Sequence, residues 1–202
     1  GWNWISYPVN ETVDINEALK DLNASDNDIV KMHGATFATY YKGEWLANNV
    51  VMTLEPGQGY MYYRKASDAT SFVYNVPAEN NNNKTNVAAT DYRWTSASAE
   101  YANNMTITAM LSVDGELVRG DYEIAALVNG EVRGNARPVY IESLDAYMLF
   151  MTVFGDDVEE VTFRYYDVET GAEFDLDNNI IYSTDAIVGS IEEPYMFSLD
   201  IL

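Results

Sequence analysis

The run "MTITAMLSV", Met105–Val113, decides how this chain is read. Met105, Ile107, Ala109, Leu111 and Val113 alternate with Thr106, Thr108, Met110 and Ser112. Side chains two apart share one face of a strand, so the alternation predicts a strand with one buried face. Immediately after it comes Asp114-Gly115, and further on Asn129-Gly130 sits between "IAALV" and "EVRG". Both dipeptides supply the left-handed backbone that tight strand reversals need, and the second predicts a hairpin. "YMLFMTVF", Tyr147–Phe154, is nearly continuous in apolar residues, as a central strand covered on both faces would be. "VTFRYYD" (161–167), "IIYS" (180–183) and "YMFSLDI" (195–201) add further strands. About eight strands without a helix predict an antiparallel β-sandwich over residues 91–202.

Upstream the pattern is different. Trp2–Val9 also alternates, with Trp2 and Trp4 on one face and Ile5, Tyr7 and Val9 on the other. "DINEALKDL" then places Ile15, Ala18, Leu19 and Leu22 at i, i+3, i+4 and i+7, which predicts a helix over 15–22 with one apolar stripe. Asp14 caps its first turn, with Glu17 completing a capping-box-like pair. Short strands are expected at Ile29–Met32, Thr36–Tyr41, Trp45–Leu46, Val50–Leu54, Tyr60–Lys65 and Phe72–Tyr74, with "KGE" and "EPGQG" as turns. Residues 1–76 are therefore expected to form a small β domain packed by one helix. "VPAENNNNKTNVAAT", Val76–Thr90, cannot bury a face, and residues 77–90 read as an Asn-rich linker.

The charge changes at the same place. Of a net −21, residues 1–90 carry 6 Lys+Arg against 10 Asp+Glu, and residues 91–202 carry 5 against 22. So acidic a chain lacks the clustered Lys and Arg that phosphate backbones require, which argues against nucleic acid and against anionic membrane surfaces. With no cysteine, disulfides, thiolate nucleophiles and cysteine zinc sites are all excluded. No apolar run approaches the roughly 20 residues of a membrane-spanning helix. At 48% hydrophobic residues, the chain can bury a core.

Several phrases resemble modules of secreted and cell-surface proteins from Bacteroidetes-type bacteria. The first half resembles the "GWNWIS" module through Gly1–Ser6, the short helix, "DIVKMH" (Asp28–His33) and "LEPGQGYMY" (Leu54–Tyr62). The second half resembles a partner module through Asn104–Leu111, "IAALVNGEVRGNARP" (Ile124–Pro138), Val161–Gly171 and "DAIVGSIEEPYMF" (Asp185–Phe197). The resemblance implies tandem modules within larger exported proteins, described as adhesion or surface proteins, and it carries no catalytic residue set. Relatives often have cysteine within "GECRG", where this chain has Val132 in "GEVRG". An extracellular or cell-surface location is expected, in a chain that opens in a strand without its leader or upstream domains.

In that motif a fold-defining strand would pack its large rings inward, so at least one of Trp2 and Trp4 is expected in the core. Catalysis has little to build on. The single histidine, His33, has no nucleophile motif beside it, and "GxSxG" is missing. With 32 acids in the chain, two carboxylates are no evidence for a catalytic pair, and "DDVEE" (156–160) reads as a solvated turn after the buried strand. "EFDLDNN" sets Asp175, Asp177 and Asn179 at alternate positions, yet without the glycine and closing glutamate of a calcium loop, so no metal or other cofactor is assigned. Alternating acids also protect a strand edge. The chain is expected to be a non-catalytic pair of modules with an adhesion, binding or spacer role, its partner a protein or a glycan. The alternative is a carbohydrate-binding module serving a polysaccharide-utilisation system. Its ligand-binding candidates are Tyr41, Trp45 and Tyr63 near turns of the first half, and Trp94 just past the linker.

Overall fold

A computed structural model describes residues 1–32, 36–47, 52–75, 92–156 and 158–201. His33, the linker 77–90, the start of the expected strand 50–54 and Asp157 lie outside the described residues. The chain divides into two compact units, residues 1–90 and 91–202, and is mainly β. Among the described residues no helix is long and apolar enough to cross a membrane.

In unit 1, the strands β1 (Trp2–Ser6), β3 (Ile29–Met32), β4 (Phe37–Tyr41), β5 (Glu44–Ala47) and β7 (Gly59–Tyr63) form one antiparallel sheet in the order β1-β7-β3-β4-β5. A two-stranded ribbon joins β2 (Val13–Asp14) to β6 (Thr53–Leu54). The helix α1 covers only Ile15–Ala18, half the predicted length. Asp14 accepts a hydrogen bond from the Asn16 amide at 2.8 Å, as an N-cap should. Glu17 does not close the capping box; its carboxylate pairs with Lys20. Beyond Ala18 the backbone tightens, with Leu22 N–H donating to Leu19 C=O at 2.9 Å, but Ile15, Ala18, Leu19 and Leu22 all stay buried. The stripe was legible; its regular helical geometry ends early because the chain must turn toward β3.

The Asn16 side chain stitches α1 to the far edge of the sheet. Its Oδ1 accepts from Trp45 N–H at 2.6 Å and its Nδ2 donates to Trp45 C=O at 3.3 Å. Phe72–Tyr74 is not a strand. Asn75 N–H donates to Ala18 C=O, and the Phe72 and Tyr74 rings pack edge-on at 4.9 Å beside the core. At Lys42-Gly43, where β4 turns into β5, both residues have positive φ (46° and 98°), the type I′ geometry of a two-residue hairpin.

Unit 2 is a sandwich. One sheet runs β11-β10-β14-β15, from β10 (Tyr122–Val128), β11 (Glu131–Ala136), β14 (Glu160–Asp167) and β15 (Glu173–Ile181). The other is built on β8 (Asn103–Val113), flanked by β13 (Ala146–Gly155) and then by β12 (Val139–Ile141). Met105, Ile107, Ala109 and Leu111 point into the core against Ile124, Ala126 and Phe163. The other face of β8 is not the exposed one its threonines predict: Thr106 and Thr108 are buried too. Met148 to Phe154 are buried on both faces, as the apolar run predicts. Asn129-Gly130 and Asp114-Gly115 both turn with positive φ; the first links β10 to β11, the second β8 to β9 (Glu116–Leu117).

The second sheet departs from pure antiparallel pairing. β16 (Ile187–Val188) and β17 (Tyr195–Leu199) both run parallel to β8, on the edge opposite β13. The sheets are tied together at a bulge between Thr162 and Phe163 of β14, opposite which Asn178 is displaced from the ladder. The Asn178 side chain takes the place of a neighbouring strand, donating to Met196 C=O at 3.2 Å and accepting from Ser198 N–H at 2.9 Å.

Candidate functional site

The exposed aromatic surface of unit 1 is set by which face of β1 the helix covers. Among the described residues β1 pairs only with β7, in a register that opposes Trp2 to Tyr63, Trp4 to Met61 and Ile5 to Tyr60. Tyr60 and Tyr62 are buried beneath α1, so Ile5 and Tyr7 share the core side, and Trp2 and Trp4 stand on the other. The expectation that one of these tryptophans is core is therefore corrected: Trp2 is half-buried and Trp4 is 73% exposed. The alternation was right and the choice of face was wrong, because both parities of β1 carry large apolar groups.

The Trp2 ring is held by its neighbours. Trp2 meets Tyr63 edge to face, with centroids 5.3 Å apart. The Lys31 ammonium lies 4.4 Å from the Trp2 ring centroid, a cation–π contact made by a buried lysine. Met61, across from Trp4, is half-buried. Trp2, Trp4, Met61 and Tyr63 thus form one strip across the β1–β7 pair, with Trp4 its most accessible member.

Of the four candidate ligand-binding aromatics, two are removed by burial. Trp45 is 5% exposed and packs its edge against Tyr40 at 5.2 Å and Tyr62 at 6.5 Å. Tyr41 is 8% exposed, on the opposite side of the sheet from Trp45. Neither offers a ring face to a ligand. Tyr63 is half-buried under Trp2, and Trp94 belongs to unit 2. Only Tyr63 joins the strip, and nothing brings the four together on one surface of a unit.

Trp94 is positioned by a buried carboxylate. Glu123 lies on β10 with no exposure, and its two oxygens receive Arg93 N–H at 2.7 Å and Trp94 N–H at 3.1 Å. Asn135 Nδ2 donates to Glu123 at 3.1 Å and to Trp94 C=O at 3.1 Å, and Arg137 Nε stands 3.5 Å from Glu123. These bonds fasten the segment entering unit 2 onto the sheet, and Trp94 comes to rest edge-on to Tyr166 at 6.0 Å. A buried charge is tolerated only when so paired.

The other buried charges are equally committed. Asp28 accepts from the Tyr62 hydroxyl at 2.5 Å, Lys65 N–H at 2.8 Å and Ser25 N–H at 3.1 Å, with Arg64 Nη1 at 3.6 Å. Burial, and then the Asp28 carboxylate beside it, push the Tyr62 hydroxyl far above its usual pKa. In unit 2 the buried Arg133 lies 3.8 Å from the Tyr101 ring and pairs with Glu131 and Glu159. Asp175 pairs with Arg164 at 2.6 Å across β14 and β15, and Asn179 donates to Glu160 at 2.8 Å. Among the described residues no three acidic or histidine side chains are placed to hold a metal ion. Each of these groups has a structural task, fixing a loop or a strand edge.

Neither protein-family models, nor curated protein sequences, nor solved structures give a match to this chain.

Proposed function

We propose that this chain is a non-catalytic pair of β modules that presents binding surfaces outside the cell, as part of an exported protein. The observation that carries the reading is Trp4, a large ring kept in water at the middle of a regular strand. A tryptophan presents about 200 Å² or more of largely apolar surface, and burying most of it is worth about 3 kcal/mol or more at the usual area coefficient. A side chain that forgoes that gain on a rigid sheet, with Trp2, Met61 and Tyr63 beside it, is what a docking surface needs. Its anchor is aromatic and loses little conformational entropy on binding. The acidic surface of unit 2 favours solubility and repels anionic surfaces.

The test is a fluorescence titration of the whole chain against extracellular-matrix proteins, with and without calcium. The reading expects saturable binding to one of them. Trp4→Ala should weaken it about 10-fold or more, as anchor residues do, while leaving the unfolding midpoint unchanged. Binding that Trp4→Ala leaves intact would remove Trp4 as its carrier. The second reading, a carbohydrate-binding unit, is favoured by a separate cluster in unit 2.

A further inference from the structure

Where β12 turns into β13, the chain makes one turn of 3-10 helix, Glu142–Leu144, and ends it on Asp145 in left-handed backbone (φ 48°, ψ 43°). This conformation is uncommon for a residue with a Cβ, though aspartate and asparagine tolerate it best. It sets the Asp145 carboxylate beside two other groups. The Tyr140 hydroxyl donates to Asp145 Oδ1 at 2.8 Å, and Arg119 Nη2 donates to the same oxygen at 2.5 Å and to the Asp145 carbonyl at 2.9 Å. Tyr140 lies directly opposite Tyr147 in the β12–β13 register, with ring centroids 5.2 Å apart and planes tilted by 49°. Tyr140 is 46% exposed, and Asp145 and Arg119 also face water.

This cluster contributes little to stability. Exposed ion pairs are worth at most about 1 kcal/mol, and a half-exposed tyrosine forgoes much of its burial. As a recognition surface it is well made. The open ring of Tyr140 can stack on the C–H face of a pyranose. Among the described residues Asp145 Oδ2 and the Arg119 Nε and Nη1 groups have no protein partner, so an acceptor and two donors stand side by side. A sugar hydroxyl both donates and accepts, so a pair of adjacent hydroxyls matches that arrangement. The three groups are already locked together by the Tyr140 and Arg119 bonds, so little ordering remains to be done on binding. Residues 91–202 hold 22 acids against 5 bases, which turns away acidic polymers and selects an uncharged ligand.

We infer that Tyr140, Tyr147, Arg119 and Asp145 form a saccharide-binding site on unit 2. It takes one pyranose of a neutral glycan, stacked on Tyr140 with adjacent hydroxyls shared between Arg119 and Asp145. The inference rests on the reading of the chain as a binding module and supplies a ligand class and a second surface for it.

The experiment is affinity electrophoresis and calorimetry of the full chain against a neutral β-glucan, xylan, mannan and amylose, with polygalacturonate as an acidic control. Four variants are compared: Tyr140→Ala, Tyr140→Phe, Asp145→Asn and Trp4→Ala. At least one neutral polymer should bind and the acidic one should not. Tyr140→Ala should lose 10-fold or more, Asp145→Asn several-fold, Tyr140→Phe less than Tyr140→Ala, and Trp4→Ala nothing. Should Tyr140→Ala fold poorly, the Phe and Asn variants decide the matter alone. Binding unaffected by the Tyr140 and Asp145 variants but abolished by Trp4→Ala would overturn this site and leave the binding-module reading standing. No binding to any neutral polymer overturns the site as well, while a matrix protein held through Trp4 would still support the broader reading.

Discussion

Replacing Glu123 by glutamine turns one carboxylate oxygen into an amide NH₂ and should cost unit 2 about 2 kcal/mol or more. All four groups facing the carboxylate are donors: Arg93 N–H and Arg137 Nε at one oxygen, Trp94 N–H and Asn135 Nδ2 at the other. A glutamine amide has only one acceptor oxygen, so either orientation aims its NH₂ at two donors. Flipping Asn135 to compensate would break its bond to the Trp94 carbonyl. With the NH₂ turned toward Arg93 and Arg137, the Arg93 N–H bond to a charged acceptor and the Arg137 ion pair are lost, a cost of about 2 kcal/mol or more. With a urea m-value of about 2 kcal/mol/M for a unit of this size, the unfolding midpoint should fall by about 1 M or more. Urea melts followed by far-UV circular dichroism give the midpoint, and amide exchange reads the Trp94 N–H directly. That amide should lose its protection together with the stability. A midpoint within about 0.3 M of wild type would refute the argument that this carboxylate fastens the segment, since such a shift is well under 1 kcal/mol.

Two further predictions concern backbone approach and charge. A Cβ on Gly134 would sit 2.2 Å from the Thr152 carbonyl oxygen, a backbone atom that cannot swing away. Gly134→Ala should therefore cost about 3 kcal/mol or more in chemical unfolding, whereas Gly59→Ala, with nothing within 4 Å, should leave stability close to wild type; equal midpoints for the two would contradict the close approach of β11 to β13. The Tyr101 hydroxyl and the Arg133 guanidinium hold the Glu131 carboxyl below its ordinary value, and the N–H groups of Thr170 and Glu169 do the same for Asp167. A carboxyl whose folded pKa is depressed stabilises the fold above its unfolded pKa, and that contribution is lost as pH falls through the folded value. Unit 2 should melt at steadily lower urea between about pH 5 and pH 3, with a shallower fall in Glu131→Gln; a flat profile in wild type would contradict the assignment.

What could be read from sequence was local. The alternation of Met105 to Val113, the Asn129-Gly130 and Lys42-Gly43 turns and the apolar run at Met148–Phe154 all found their elements because each depends on neighbours along the chain. Three features stayed hidden for reasons of long range. The parallel pairing of β17 with β8 joins residues about 86 positions apart, and nothing in Tyr195–Leu199 encodes its direction. Burial of Thr106 and Thr108 depends on what lies beyond the sheet, which strand alternation cannot supply. The face of β1 was ambiguous because alternation fixes which residues share a side and not which side is covered.

A signal for that last choice existed. α1 presents a single apolar stripe and can roof only one face, and Ile5, Tyr7, Tyr60 and Tyr62 make a more complete floor beneath it than the Trp2–Trp4 side. The same reasoning places Trp45 inward, through the Asn16 side chain that reaches it from α1. Nothing in the sequence joins Tyr140 and Tyr147 to Arg119, because only the register of β12 on β13 and the left-handed Asp145 bring them together.

The most direct test of the central claim is the fluorescence titration of wild type and Trp4→Ala in parallel, across extracellular-matrix proteins. Wild type should show a saturable change, and removing the exposed ring should weaken the affinity 10-fold or more with the urea midpoint unmoved. A Trp4→Ala protein that unfolds at markedly lower urea would show that the ring is a core element, and the outward strip would fall with it.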